Sequence, residues 1–292
     1  MRTNVAAQPE PGLERSCGDW VRSVGPFDGL EVLQAHFAGR GFSPHRHDTY
    51  GIGVTDAGVQ TFDYRGSTER SLPGEVTVLH PDEQHDGRAG TDAGFAYHIV
   101  YLSPAHVGEA LRALTGKATP LPFVRQAVAP NPELAYAVYE AFNLGIEEPL
   151  ARDSFVLRFA QGLLRSDRSV GEMGRSTRVD EKAVRRAREY LDTHLRRVGS
   201  DEVESVSGMS RYELARQFRM AYGTSLYRYS VLRRLDAARV RMRTGQSLAD
   251  VALSAGFSDQ AHFTRTFTRS FGVPPGRYAQ LQRTARAVTP GT

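Results

Sequence analysis

Along the chain the spacing of hydrophobic positions changes once, near residue 103, and the change separates two kinds of structure. From Leu30 to about Leu102, short apolar runs are punctuated by Gly, Pro and Asp. The runs GLEVLQAHF, YGIGVTDAG, GVQTFDYRG, GEVTVLHP and FAYHIVYLSP predict strands, and DYRGS and SLPGE predict turns. Several short strands at near-regular spacing predict an all-β barrel or sandwich. Beyond them the apolar residues recur every three or four positions. Residues 104–116, 131–144 and 151–165 predict helices, with Leu134, Val138 and Phe142 on one face of the second and Phe155, Phe159 and Leu163 on one face of the third. Residues 166–179 (SDRSVGEMGRSTRV) are polar, hold two glycines and have no period, which marks a linker. Everything after them is helical in pattern. Residues 1–20 are polar, with Pro9, Pro11 and Gly12, and predict a flexible tail.

The helical half contains a weak internal repeat. GMSRYELARQFRMAYGTSLYRY starts at Gly208 and GFSDQAHFTRTFTRSFGVPPGRY at Gly256. Both open with Gly, a large apolar residue and Ser. Both carry Arg-x-Phe (Arg216 and Phe218; Arg265 and Phe267), then Gly (Gly223, Gly272) and Arg-Tyr. The offset is 48 residues at the turn and 49 from the middle onward, so one copy holds a single insertion. A short helix precedes each turn, and Ser247 with Asp250 fits an N-terminal capping box. Helix, glycine turn, helix is the helix-turn-helix unit, and glycine suits the turn because it accepts positive φ. In the second helix of copy one, Leu214 and Phe218 point to the core, while Arg211, Tyr212, Ala215, Arg216 and Arg219 point outward. In copy two, Phe263 and Phe267 are the core pair, and Gln260, Ala261, Thr264, Arg265 and Thr268 point outward. Arginine and glutamine read guanine and adenine bidentately, so these faces are candidate DNA readers. The segment Leu226 to Thr244 predicts one helix of ~28 Å, comparable to the ~34 Å between successive major grooves on one face of DNA.

Charge sharpens this division. The chain of 292 residues has a formal net charge of +4. Residues 1–179 carry −5 and residues 180–292 carry +9, and Lys182 is the only lysine among the latter's basic residues. That asymmetry suggests that only the C-terminal half meets a polyanion, and arginine favours bidentate phosphate and base-edge contacts. The alternative is a helical bundle whose arginines are merely solvated. The hydrophobic fraction of 40% supplies a buried core, and the length suggests two domains. No stretch approaches the roughly 18 apolar residues of a membrane helix, and Met1 to Gly12 lacks the hydrophobic region of a secretory signal. A single cysteine, Cys17, excludes an intramolecular disulfide framework and multi-cysteine metal sites. The protein is therefore expected to be soluble and cytoplasmic, without a membrane partner.

Residues 180–286 resemble the DNA-binding region of the AraC/XylS family of bacterial transcription regulators. The resemblance is carried by GMSRYELARQF and by the stretch LADVALSAGFSDQAHFTRTFTRSFGVPPGRY. It implies two helix-turn-helix units joined by a helix, each placing a helix in the major groove of double-stranded DNA. By position, Tyr212 and Arg216 would read bases in the first unit, and Gln260 and Arg265 in the second. Ala215 and Ala261 sit where some relatives have longer polar readers. Before the first turn, Glu202, Glu204 and Ser205 replace the family's usual apolar, alanine-rich stretch. RNA polymerase is a partner implied by the same resemblance, and activation is the family's commoner mode.

The β half offers a second candidate site. His45 and His47 precede the strand at Tyr50, and Gly74, Pro81 and His85 follow. This spacing resembles the two motifs of the cupin barrel, in which HxH and a distant His can bind a metal. The glutamate expected a few residues after HxH is missing, its window being filled by Thr49, Tyr50, Gly51 and Ile52. No metal and no cofactor is therefore expected. The stretch also resembles the cupin-like sensory domain of the AraC family, with His45, His47, Gly58, Pro73–Gly74 and Pro81…His85 in place. That resemblance implies a small effector inside the barrel. Tyr50, Ile52 and Val54 share one face of a strand, and the polar candidates for the effector site are His45, His47, Tyr50, Tyr64, His80, His85 and His98.

No phosphate-binding loop with Lys-Ser/Thr and no GxSxG occurs, so nucleotide hydrolysis and serine catalysis have no support. The expectation is an α+β chain: an effector-binding cupin-like barrel with following helices over 21–165, a linker over 166–179, and an all-α double helix-turn-helix domain over 180–286. Its function would be an effector-controlled transcription regulator rather than an enzyme. A metal-dependent cupin enzyme fused to a DNA-binding domain and a regulator with a ligand-free barrel are the alternatives. The helices at 104–165 would form a homodimer interface or only cap the barrel.

Overall fold

The computed structural model describes residues 19–167 and 178–288. Residues 1–18, most of the expected tail with Cys17, and residues 168–177, most of the expected linker, lie outside the described residues.

The strands are β1 (Trp20–Phe27), β2 (Leu30–Phe37), β3 (Arg40–His45), β4 (Tyr50–Gly58), β5 (Gln60–Tyr64), β6 (Ser67–Ser71), β7 (Val76–Leu79), β8 (His85–Ala89), β9 (Phe95–Leu102) and the short β10 (Val128–Ala129). They form two antiparallel sheets, ordered β1-β2-β9-β4-β7-β10 and β3-β8-β5-β6. The five runs that predict strands fall on β2, β4, β5, β7 and β9. The turn at DYRGS is a hairpin in which Arg65 (φ 51°) and Gly66 (φ 79°) are both left-handed, the backbone that matches the twist of a two-residue connection.

The larger sheet is buried on both faces. On one, Leu33, Ala35, Phe37, Phe95, Tyr97, Ile99 and Tyr101 cluster with Phe42 and Ala89 of the opposing sheet, which makes this face the barrel interior. On the other, Val32, Tyr50, Ile52, Val54, Val78 and Val100 join the core of the following helices. Those helices are α1 (Pro104–Thr115), α2 (Pro132–Leu144) and α3 (Pro149–Ser166). Each begins on a proline at its first helical position, where no backbone N–H is needed. Ser103 and Asn131 cap the first two through their side chains.

The C-terminal half is all helix: α4 (Glu181–Thr193), α5 (Ser200–Ser207), α6 (Arg211–Tyr222), α7 (Leu226–Met242), α8 (Leu248–Ser254), α9 (Gln260–Phe271) and α10 (Pro275–Val288). The two turns of the sequence repeat lie at α5–α6 and α8–α9. Gly208 (φ 75°) and Gly256 (φ 72°) both take the left-handed conformation. At Gly256 a Cβ would also stand 2.7 Å from the Cα of Arg196, so the turn is pressed against the α4–α5 connection. Ser247 caps α8 by accepting from the Asp250 N–H at 3.1 Å. The substituted segment before the first turn still packs: Val203 and Ser207 are buried, and the Glu204 carboxylate accepts the Arg211 backbone N–H at 2.6 Å, capping α6. The halves are not separate cores. One apolar cluster runs from β4 through α1–α3 into α5, α6 and α7.

Candidate nucleic-acid interface and ligand barrel

The two reading helices have the same core face and different surroundings. Leu214 and Phe218 of α6 and Phe263 and Phe267 of α9 are all fully buried, as the repeat requires. On α9, Gln260, Ala261 and Arg265 are exposed, with Thr264 and Thr268 half-buried beside them. Arg265 has no ion pair or hydrogen bond among the described residues. Asp259 caps the helix, accepting the His262 N–H at 2.7 Å, and the α9 N-terminus faces outward with Gln260 at its first position.

On α6 the expectation of an outward face is corrected. Tyr212 is 2% exposed, Ala215 4% and Arg216 6%. These residues do point away from the helix-turn-helix core, but other parts of the chain cover them. Arg211 donates to the Asp28 carboxylate and, at 3.2 Å, to Nε2 of His106 on α1, and it lies 3.9 Å from the Asp153 carboxylate on α3. Tyr212 meets the His106 ring edge to face. Ala215 shares a cleft with Leu157 and Arg158 of α3. Arg216 pairs with Glu213 at 2.6 Å and donates to the Arg178 carbonyl at 3.2 Å. Of the four readers proposed for this unit, Arg219 alone is exposed.

Asp153 is buried where α3, α5 and α6 meet and accepts from the Ser200 hydroxyl at 2.5 Å. Burial pushes its carboxyl up to about 7, although Ser200, Arg211 and Arg152 each favour the charged form. At Asp28 burial acts in the same sense, but Arg211 outweighs it and holds that carboxyl below the usual range.

The seven effector candidates fall into three groups. His45, His47 and His85 pack together, with ring centroids 4.4 Å (His45–His85), 4.9 Å (His47–His85) and 6.3 Å (His45–His47) apart. Each Nδ1 lies within 3.0 Å of a backbone carbonyl, those of Ser43, Thr49 and Glu83. The Nδ1–H of each ring donates there, which leaves Nε2 as an acceptor. Nε2 of His47 is buried without a partner, beside Gly51, whose missing side chain leaves room. Burial, with the other two rings adding to it, pushes His85 down to about 4, and burial lowers His47 as well. Among the described residues no three His, Cys, Asp or Glu side chains are placed to hold a metal ion.

Tyr50, Tyr64 and His80 form a second group. Val124 N–H donates to Nε2 of His80 at 3.0 Å, so the His80 proton sits on Nδ1 and is donated to the Tyr64 hydroxyl at 3.0 Å. Burial pushes His80 down to about 4, in keeping with that neutral tautomer. Tyr50 donates to the Pro122 carbonyl at 2.9 Å from the helix side of the sheet, not from the barrel interior. His98 stands apart on that same side. Its Nδ1 lies 2.6 Å from Asp56, which also accepts from Tyr139 of α2 at 2.9 Å. Sequence reasoning missed the aromatic lining of Phe37, Phe42, Phe95, Tyr97 and Tyr101. The signal available was the alternation of aromatic residues in FAYHIVY.

A two-sheet barrel with an aromatic interior, joined to a pair of helix-turn-helix units, is the plan of a transcription regulator with a ligand-binding domain. Comparison with known proteins places the chain within that class. A family model described as an AraC-like ligand binding domain matches residues 29–159, and one described as a helix-turn-helix domain matches residues 205–281. The regulatory protein SoxS of Salmonella typhimurium is 35% identical over 92 residues, covering 31% of this chain and 86% of that protein. The uncharacterized HTH-type transcriptional regulator YbfI of Bacillus subtilis is 26% identical over 224 residues, 76% of this chain and 81% of that protein. The solved structure of a probable AraC family transcriptional regulator from Rhodopseudomonas palustris is 27% identical, covers 34% of this chain and 96% of that one, and has a TM-score of 0.33. The chain belongs to the AraC/XylS family: it is a transcription regulator with a helix-turn-helix DNA-binding domain and a ligand-binding domain. Among the described residues no helix is long and apolar enough to cross a membrane.

Proposed function

We propose that this regulator reads a specific DNA sequence, is controlled by a small effector held in the barrel, and acts in the cytoplasm as an activator that contacts RNA polymerase. The observation that carries the DNA-binding reading is the exposed face of α9, where Gln260 and Arg265 stand without competing partners among the described residues. Arg265 is the guanine reader and Gln260 the adenine reader, with Thr264 and Thr268 on the same face. Arg211, Tyr212, Arg216 and Arg219 serve the first unit once α6 is uncovered. In the barrel, His47 and His85, whose burial favours the neutral ring, stand with His45 next to an aromatic wall. That chemistry suits an apolar or aromatic molecule carrying hydroxyl or amine donors. Tyr64 and His80 act as support behind them, and Tyr50 and His98 transmit between sheet and helices. Two copies joined through α1–α3 would bind adjacent sites more tightly by linkage.

Selection of binding sites from random DNA tests the reading. Wild type should enrich a defined sequence, with affinity that falls steeply as salt rises. Arg265→Ala should lose about 1–3 kcal/mol and relax one base position. Enrichment of no sequence would overturn specific reading. A thermal-shift series of phenols, aromatic amines and sugars tests the barrel, since a ligand raises apparent stability.

A further inference from the structure

The covered face of α6 meets an edge of the sensory domain that is rich in acidic groups. Arg211 lies between Asp28 and Asp153. Arg228, at the start of α7, pairs with the buried Glu140 of α2 at 2.9 Å. Arg197 and Arg234 lie 3.7 and 3.8 Å from Glu148 at the head of α3. Arg269 of α9 donates to the Asn143 carbonyl at 2.9 Å. Thus five arginines of the +9 half meet carboxyl or carbonyl oxygens of the −5 half. The Asp28 carboxylate offers Arg211 the kind of charged acceptor that a phosphate does, with the buried Asp153 carboxyl on its other side. The contact is also steric. A reading helix fills a major groove ~12 Å wide, so α6 cannot lie in a groove while Tyr212 and Ala215 are packed against α1 and α3.

We propose that the acidic edge of the sensory domain is an internal competitor for DNA: by clamping Arg211 between Asp28 and Asp153 it keeps the first reading helix covered, so the chain enters one major groove when closed and two when the domains part. The inference rests on the DNA-binding reading for its consequence, not for the contact itself. A closed chain binds through α9 alone, and the affinity of the two-groove site is reduced by the fraction of molecules that are closed. An effector that separates the domains recovers that affinity without touching DNA.

Two measurements on the full chain test this separately. First, Ala215→Cys is made in a Cys17→Ala background, and the rate at which a thiol reagent labels it is compared with and without Asp28→Asn, and with Asp28→Asn plus Glu148→Gln. Asp28 already sits at φ 49°, a conformation asparagine accepts, so this substitution leaves the fold intact. Labelling should be slow in the parent and about tenfold or more faster once the clamp is weakened, the factor expected for one lost charge-assisted contact. Equal rates in all three chains overturn the proposal. Second, hydroxyl-radical footprints on the selected DNA should show one protected groove for the parent and two, one helical turn apart, for Asp28→Asn. Two protected grooves for both chains, or one for both, overturn the competition with DNA. If no chain binds DNA selectively, the regulator reading fails while the labelling still decides whether α6 is covered.

Discussion

The two helix-turn-helix units are built from one repeated pattern, yet only the second presents its outward face to solvent. Their cores match position for position, Leu214 and Phe218 against Phe263 and Phe267, and both turns bend through a left-handed glycine. What separates them is what lies opposite. Around α6 are Asp28, His106, Leu157 and Arg178, whereas on α9 Gln260, Ala261 and Arg265 are exposed and Arg269, at the far end of the helix, reaches the sensory half. A repeat therefore specifies a shape and a candidate surface, and the neighbouring domain decides whether that surface is available.

The comparison can be broken most forcefully at the cores. Phe267→Ala should remove about 3–5 kcal/mol from the packing of the second unit and abolish selective DNA binding. Phe218→Ala should lose a similar amount and also loosen the interface, because α6, unlike α9, packs directly against α1 and α3. Hydrogen exchange should show protection lost within α8–α9 in the first case and across α3, α6 and α7 in the second.

A smaller effect, with a defined sign, comes from pH. Asp153 faces Ser200 and Glu204 of α5, Arg211 of α6 and Arg152 of its own helix. Its folded-state value of about 7 lies above the ordinary 3.8. The folded chain therefore favours its protonated form, and its contribution is fully present below about 4 and is lost as pH rises toward about 7. The slope is at most about 1.4 kcal/mol per pH unit. His80 and His85 act oppositely. Their folded values of about 4 lie below the ordinary 6.5, so their contribution is fully present above about 6.5 and is lost as pH falls toward about 4. Denaturant titrations between pH 4 and pH 7 should show that Asp153→Asn removes one slope and leaves the other, making stability rise more steeply with pH than in wild type. Unchanged slopes would show that Asp153 is charged throughout. The smallest expected effect is at the second turn, where Ser247→Ala should cost about 1 kcal/mol by unmaking the cap on α8.

Much of the fold was legible in the residues. Period-two runs located β2, β4, β5, β7 and β9, and the 48–49-residue offset located both helix-turn-helix units. The strands not foreseen are those without an apolar signal. β1 is an edge strand exposed along nearly its whole length, and β3, β6 and β8 are short and polar or interrupted by glycine and proline. Alternation correctly put Tyr50, Ile52 and Val54 on one face, but β4 is buried on both sides, so period alone cannot say which face meets the barrel interior. Gly51, beside the imidazole of His47, is on the interior side. Likewise the pattern on α6 distinguished core from outward positions, and no local pattern records that α1 and α3 lie across the outward ones. Of the histidines, the HxH motif and His85 did come together, while His80 and His98 were already committed to partners that spacing could not reveal.

One buried side chain sets how the molecule can open. Arg234 reaches from α7 to the Gly256 carbonyl at 2.9 Å and lies over the Phe257 ring, while the same turn presses against the α4–α5 connection. These contacts weld the linking helix to the second unit, so α6 is not a flap that peels away on its own. In the proposed opening, a displacement that frees α6 would also carry Arg228 and Arg269 away from α2 and the chain that follows it. These contacts would then part together, so each molecule would be either closed or open, with no half-released α6.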